Sequence, residues 1–437
     1  MSHIQIEKLA LHGHTIDFSF SVSADIRRFF LTRHLHYEYD VDISAVPPSI
    51  LYIPAVANVI HVGWALGCQI RVEELDRDFA ESLAEIETIA KKTYSQFRFA
   101  GDTLRAEKTV RNRFAGDRYT LLFSGGIDSL ASYITHREKR PILCTFWFWG
   151  TDTLAYEKRH WEIARENFFN FCGQESLDGH VVQSNLWELL DDRKLAKKTG
   201  LRFWLAQVSH GLVWIASLAP LVVQQSQAVI IAGGATDTIV GEWGSMPEAD
   251  SKIRIADIRT IHDGDTSSRQ KKIHSLVAKH PELFKFITVC FENGRNLNCS
   301  RCEKCIRTIT GFALAGVDPN CCNFKISGQD LQRLIRKFEK GALSCQPTYH
   351  VNLWDEFKKF VPADERSLPL AAPDFFRWLK EYDFRNHRVS PFRRRLNRWQ
   401  RKMNRLRWHR LMFKGKKVYR QMKAEFLSRT EKKLPEC

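Results

Sequence analysis

Hydrophobic and polar positions alternate near the start of the chain, where Ile16, Phe18, Phe20 and Val22 recur at every second residue. That period lays one face of a β-strand against a core. An apolar run follows, SILYIPAVANVIHVGWALG, then the short strand pattern QIRV, then DRDFAESLAEIETIAKKTY, which opens a helix at Asp76. Residues 1–115 therefore read as a small α+β domain. From about residue 116 the pattern changes. TLLFS, PILCTFWFW, HVVQSNL and AVIIAGG are near-continuous apolar runs separated by helical stretches. Strands apolar on both sides, alternating with helices, build a parallel sheet covered on both faces, which is an α/β core. Residues 116–325 are assigned to it. Such sheets bind ligands at the carboxyl ends of their strands. SGGIDS and GGATD both fall at such ends. Residues 326–387 read as a helical region around QDLQRLIRKFEKGA.

Charge singles out the last segment. Between Arg388 and Lys433 eighteen basic residues face Glu425 and Glu431, a net of +16 that equals the formal charge of the whole chain. The body is neutral and residues 388–437 form a basic tail. Within it Leu396, Trp399, Met403 and Leu406 recur at helical spacing, and the pattern resumes beyond Gly415 through Tyr419, Met422 and Phe426. A basic amphipathic helix of this kind suits RNA, an acidic protein or an anionic membrane surface.

Composition narrows the class. A hydrophobic fraction of 44% with 12% aromatics belongs to a folded protein. Eleven cysteines in 437 residues are too sparse for a disulfide scaffold. With no signal peptide at MSHIQIEKLALHGH, a reduced, cytoplasmic setting is the expectation. GLVWIASLAPLVV is too short to span a membrane and carries Pro220, so it reads as a buried helix.

The chemistry centres on LLFSGGIDSLASY, residues 121–133. An apolar strand end, a glycine turn and a helix start place unpaired amides and the positive end of a helix dipole at one spot, which favours an anion. No lysine follows the glycines, so the Walker loop is excluded, and G-G-I-D-S-L is not the dinucleotide fingerprint. In S-G-G-x-D-S the hydroxyls of Ser124 and Ser129 and the amides of Gly125 and Gly126 would face the anion. Asp128 would stand at its edge, where a carboxylate beside phosphates suits Mg²⁺.

A second constellation is VCFENGRNLNCSRCEKC, with Cys290, Cys299, Cys302 and Cys305 spaced C-x(8)-C-x(2)-C-x(2)-C. Four thiolates this close suit a tetrahedral Zn²⁺, and an iron–sulfur cluster would use the same ligands. The remaining cysteines read as small buried hydrophobes.

The SGGxDS loop resembles the PP-loop of the ATP pyrophosphatase superfamily. Together with the later cysteine spacing it resembles the 7-cyano-7-deazaguanine synthase family within it, over roughly residues 118–325. The resemblance implies a PP-loop α/β core with a zinc knuckle. ATP with Mg²⁺ would bind at Ser124, Gly125, Gly126, Asp128 and Ser129, and Zn²⁺ at the four cysteines. The end of PILCTFWFW would lie near adenine. The implied chemistry adenylates a carboxylate and captures it with ammonia or an amine. Two differences stand out: more than a hundred residues precede the loop, and GEWGSMPEAD replaces the family's Tyr-Pro-Asp-Cys segment.

Asp128 and Asp237 are the catalytic candidates, and Asp237 reads equally as a helix N-cap. Glu242 is a weaker one. Arg269, Lys272 and Arg307 could steady phosphates or stand as solvated charge. His160 and His210 read as structural. Three functions remain open: an adenylating C–N ligase or synthase acting on a small acid with ammonia or an amine, a PP-loop tRNA-modifying enzyme gripping RNA with its tail, and a non-catalytic zinc-containing adaptor. The oligomeric state is open too, a homodimer included.

Overall fold

A computed structural model describes residues 2–149, 155–234, 243–290, 296–339 and 348–385. The strands are β1 (His3–His12), β2 (Thr15–Val22), β3 (His34–Tyr39), β4 (Gln69–Asp76), β5 (Leu104–Val110) and β6 (Arg118–Leu122). They continue with β7 (Ile142–Phe148), β8 (Gly179–Ser184), β9 (Ser226–Ala232), β10 (Arg254–Ile255) and β11 (Ile258–Asp263). Among the described residues all of these join one sheet, in the order β10-β11-β9-β6-β7-β8-β3-β2-β1-β4-β5.

The middle of the sheet is parallel: β8, β7, β6, β9 and β11 run side by side in the same direction. Successive residues of these strands enter opposite cores. Leu121, Leu143 and Ile230 pack into one, whereas Leu122, Cys144 and Val229 pack into the other. That two-sided burial is why these strands carry unbroken apolar runs. The fold is α/β with a mostly parallel sheet covered on both faces. One face is covered by the helices Ile53–Leu66, Arg77–Thr93 and His210–Ala216, the other by Ile127–His136, Glu303–Leu314 and Gly328–Glu339.

Strands β1 to β5 extend this sheet. β3 pairs antiparallel with β8, Tyr37 opposite Ser184 and Tyr39 opposite Val182. Side chains lock the same junction: Tyr37 and Tyr39 both reach Ser217, at 3.0 Å each, and Asn58 donates to the Tyr37 hydroxyl at 2.9 Å. Residues 1–115 thus share one sheet and one hydrophobic core with the parallel strands.

Local signals in the sequence correspond to elements. Ile16, Phe18 and Phe20 are buried on one face of β2, while Val22 at its end is only half-buried. Asp76 caps the helix Arg77–Thr93 by accepting from the Phe79 amide at 2.9 Å. Leu331, Leu334 and Phe338 form the buried stripe of Gly328–Glu339. Among the described residues one apolar helical run, Leu205–Val222, is long enough to cross a membrane, and 72% of it is buried. The basic tail lies outside the described residues.

Candidate anion site and four-cysteine cluster

The parallel strands run in chain order β6, β7, β8, β9, β11 but stand in space as β8-β7-β6-β9-β11. The order reverses beside β6, so a crevice opens between the carboxyl ends of β6 and β9, the place where such sheets bind ligands. SGGIDS occupies the end of β6, and Gly233-Gly234 the end of β9.

Gly125 sits at φ +70°, a left-handed conformation that side chains rarely adopt, and so turns the chain sharply out of β6. Gly126 then precedes the helix Ile127–His136 with no side-chain cap among the described residues, leaving the helix's first amides for another acceptor. Ser124 and Ser129 brace the turn. Their hydroxyls lie 3.2 Å apart, and Ser129 also donates to the Gly126 carbonyl at 3.1 Å.

Asp128 is the meeting point of the site. Arg269 donates to its Oδ2 from Nε at 3.0 Å and also from Nη2, and Lys272 Nζ stands 3.5 Å from its Oδ1. Lys272, only 3% exposed, also donates to the Gly233 carbonyl at the end of β9. A Cβ on Gly234 would come within 3.3 Å of Asp128 Oδ2, so glycine there admits the carboxylate. Burial alone would raise the Asp128 pKa, but the charges of Arg269 and Lys272 outweigh it and hold the carboxyl below its ordinary value. It is ionised at neutral pH. Both of its oxygens face cations, so Mg²⁺ at Asp128 would require Arg269 to move aside.

Lys304 completes the cluster. Burial lowers its pKa to about 8, and the charges of Arg269 and Arg307 lower it too, while Asp128 acts the other way. Arg307, buried at 3% exposure, pairs with Glu303 at 2.8 Å, and its buried Nη1 has no hydrogen-bond partner among the described residues. Arg269, Lys272 and Lys304 thus all act on Asp128 in this crevice, while Arg307 is paired with Glu303 and Asp263 also feels the charge of Lys272. A cluster of cations of this kind attracts an anion.

The four cysteine sulfurs lie within 4.8 Å of one another. Tetrahedral zinc with bonds of about 2.3 Å sets its sulfurs about 3.8 Å apart, and Cys299 and Cys305 already stand at 3.8 Å. The turns supply amides to the sulfurs: Cys302 N donates to Cys299 Sγ at 3.2 Å, and Cys305 N to Cys302 Sγ at 3.5 Å. The cluster could hold a zinc ion, and its amides would support the thiolates.

Asp237 and Glu242 lie outside the described residues, as do Cys345 and Cys437. Cys68, Cys144, Cys172 and Cys322 are buried and Cys321 is exposed. His160 is buried in the helix Ala155–Glu175. His210 stacks on Trp214 at 4.5 Å, and burial, together with the smaller effect of the Lys304 charge, brings its pKa down to about 4. Lys304 joins the site without a clear signal in the sequence. The only trace of Lys304 is its place inside CEKC, where a lysine reads as surface charge.

Comparison with known protein families, with curated proteins and with solved structures gives no match.

Proposed function

We propose that the chain is an ATP-dependent adenylating enzyme that activates a carboxylate and passes it to a nitrogen nucleophile. The observation that carries this reading is Asp128, ringed by Arg269 and Lys272 at a glycine turn between the ends of β6 and β9. In the proposed reaction a carboxylate oxygen of the substrate attacks the α-phosphorus of ATP. The bond to the β-phosphate oxygen breaks and pyrophosphate leaves. Ammonia or an amine then attacks the acyl carbon, loses a proton, and AMP departs. The Gly125 amide and the helix start behind it would hold the departing pyrophosphate, and the Gly126 amide, which donates to Ser124 Oγ at 3.3 Å, would join them by exchanging partners. Arg269 and Lys272 would transfer from Asp128 to phosphate oxygens when ATP enters. Mg²⁺, held by Asp128, would supply charge neutralisation for the leaving group. Zn²⁺ at Cys290, Cys299, Cys302 and Cys305 would be structural, as a closed four-thiolate site leaves no open position for substrate. Asp237, three residues past Gly234, would serve the acyl-adenylate or the magnesium. The basic tail would hold a polyanionic partner apart from this chemistry.

The deciding experiment is ATP–pyrophosphate exchange with a panel of acids, 7-carboxy-7-deazaguanine first. Acid-dependent exchange with AMP as product is the expected result. ADP and phosphate as primary products of a homogeneous preparation would overturn α-phosphate attack.

A further inference from the structure

The glycine turn and the cysteine cluster share one piece of main chain. Residues 286–290 run along the turn and then deliver Cys290 to the cluster. The Thr288 amide donates to the Gly125 carbonyl at 2.9 Å. A Cβ on Gly125 would stand 3.4 Å from both the Phe286 carbonyl oxygen and Thr288 Cβ, so strip and turn are in close contact. Two asparagines hold the strip. Asn167 donates to the Phe286 carbonyl at 2.9 Å. Asn298, buried at 3% exposure, accepts from the Val289 amide at 2.9 Å and donates to the Ile287 carbonyl at 2.8 Å. Asn298 immediately precedes Cys299, so this clamp is anchored to a metal-ligand position.

The far side of the cluster reaches the other half of the anion site. Cys302 caps the helix Glu303–Leu314, accepting from the Cys305 amide. That helix packs on Arg269–Ser275, where Gln270 donates to the Gly311 carbonyl at 2.8 Å. Arg269 and Lys272 project from this second helix to Asp128. The cluster therefore touches the turn through Thr288 and the cations through a helix pair.

We propose that metal occupancy of the four cysteines sets the anion affinity of the glycine turn, with the strip 286–290 and Asn298 as the positioning elements. This rests on reading the turn as a phosphate site. With an ion bound, the chain entering and leaving the cluster is fixed, and with it Gly125 and the Arg269–Lys272 pair. Without one, the four sulfurs have no common partner and Asn298 loses its anchor. The coupling is reciprocal: whatever factor the metal adds to anion affinity, the anion adds to metal affinity.

The test uses the full chain, metal-loaded and after chelation, with pyrophosphate binding measured by calorimetry. Loss of the metal is expected to weaken binding about tenfold, within the usual range for coupled sites. Saturating pyrophosphate is expected to slow extraction of the metal by a chelator. Asn298→Ala keeps all four thiols and is expected to retain one zinc per chain while losing pyrophosphate affinity by a similar factor. Asn298→Asp keeps the acceptor for the Val289 amide and is expected to recover part of it. Equal affinity with and without metal overturns the coupling and leaves the phosphate site standing. So does metal retention indifferent to pyrophosphate. If chelation unfolds the chain, Asn298→Ala decides, and unchanged affinity there overturns the proposal. Absence of pyrophosphate binding in every form removes the phosphate reading and the coupling together.

Discussion

Asp128→Asn removes one negative charge with almost no change in volume, and its consequences separate structure from chemistry. The carboxylate is 15% exposed, and its partners Arg269 and Lys272 are 19% and 3% exposed. Breaking a fully buried pair by removing one partner costs about 3–5 kcal/mol. Here the crevice is partly open, and the amide oxygen still accepts from Arg269, so about 2 kcal/mol is expected. With about 2 cal/mol/K of unfolding entropy per residue over a chain that shares one sheet, the melting temperature falls by about 2–3 °C and the fold survives. Magnesium-free pyrophosphate binding should tighten, because Arg269 and Lys272 lose the charge that neutralises them. ATP–pyrophosphate exchange should fall by about a hundredfold or more, the usual effect of deleting one group that organises charge in a transition state. Thermal denaturation, calorimetry and labelled-pyrophosphate exchange read these three effects separately. Weaker pyrophosphate binding in the folded variant would refute the electrostatic argument. Wild-type exchange would refute the role of Asp128 in the reaction.

One Zn²⁺ per chain should survive dialysis, and Cys302→Ser should lower stability more than it alters ATP binding, because a structural metal contributes folding free energy; a brown preparation with iron and acid-labile sulfide would replace zinc by a cluster. Burial holds the His61 imidazole down to about 3, so the folded chain resists a proton that the unfolded chain accepts. Stability therefore declines as pH drops below the unfolded value near 6.5, by about 2 kcal/mol at pH 5 from this group. Denaturation midpoints at pH 7 and 5 should lie closer together in His61→Leu, with His210 still contributing to the difference, and an unchanged slope would refute the assignment. Deleting residues 388–437 should leave small-molecule adenylation nearly intact and abolish binding to a polyanion. That binding should weaken with salt at a logarithmic slope of about −0.9 per phosphate neutralised on a duplex. An insoluble or ATP-inactive truncation would make the tail part of the fold.

Features that depend on near neighbours are legible in the residues alone. Two-sided apolar runs become the parallel strands because adjacent residues, such as Leu121 and Leu122, enter opposite cores. The glycine turn after β6 is local, since the left-handed Gly125 needs no distant partner to be recognised. The cysteine cluster was equally legible, as C-x(2)-C turns place sulfurs and amides together within a few residues. What surrounds these features comes from distant parts of the chain. β3 docks on β8 across about 145 residues of chain, and no local period announces that pairing. Asp128 finds Arg269 141 residues away, and Lys304, which reads in CEKC as solvated charge, belongs to the same crevice. The difference is physical. A hydrophobic period reports a face, whereas the effect of a charge depends on its burial and on partners that only the folded chain assembles.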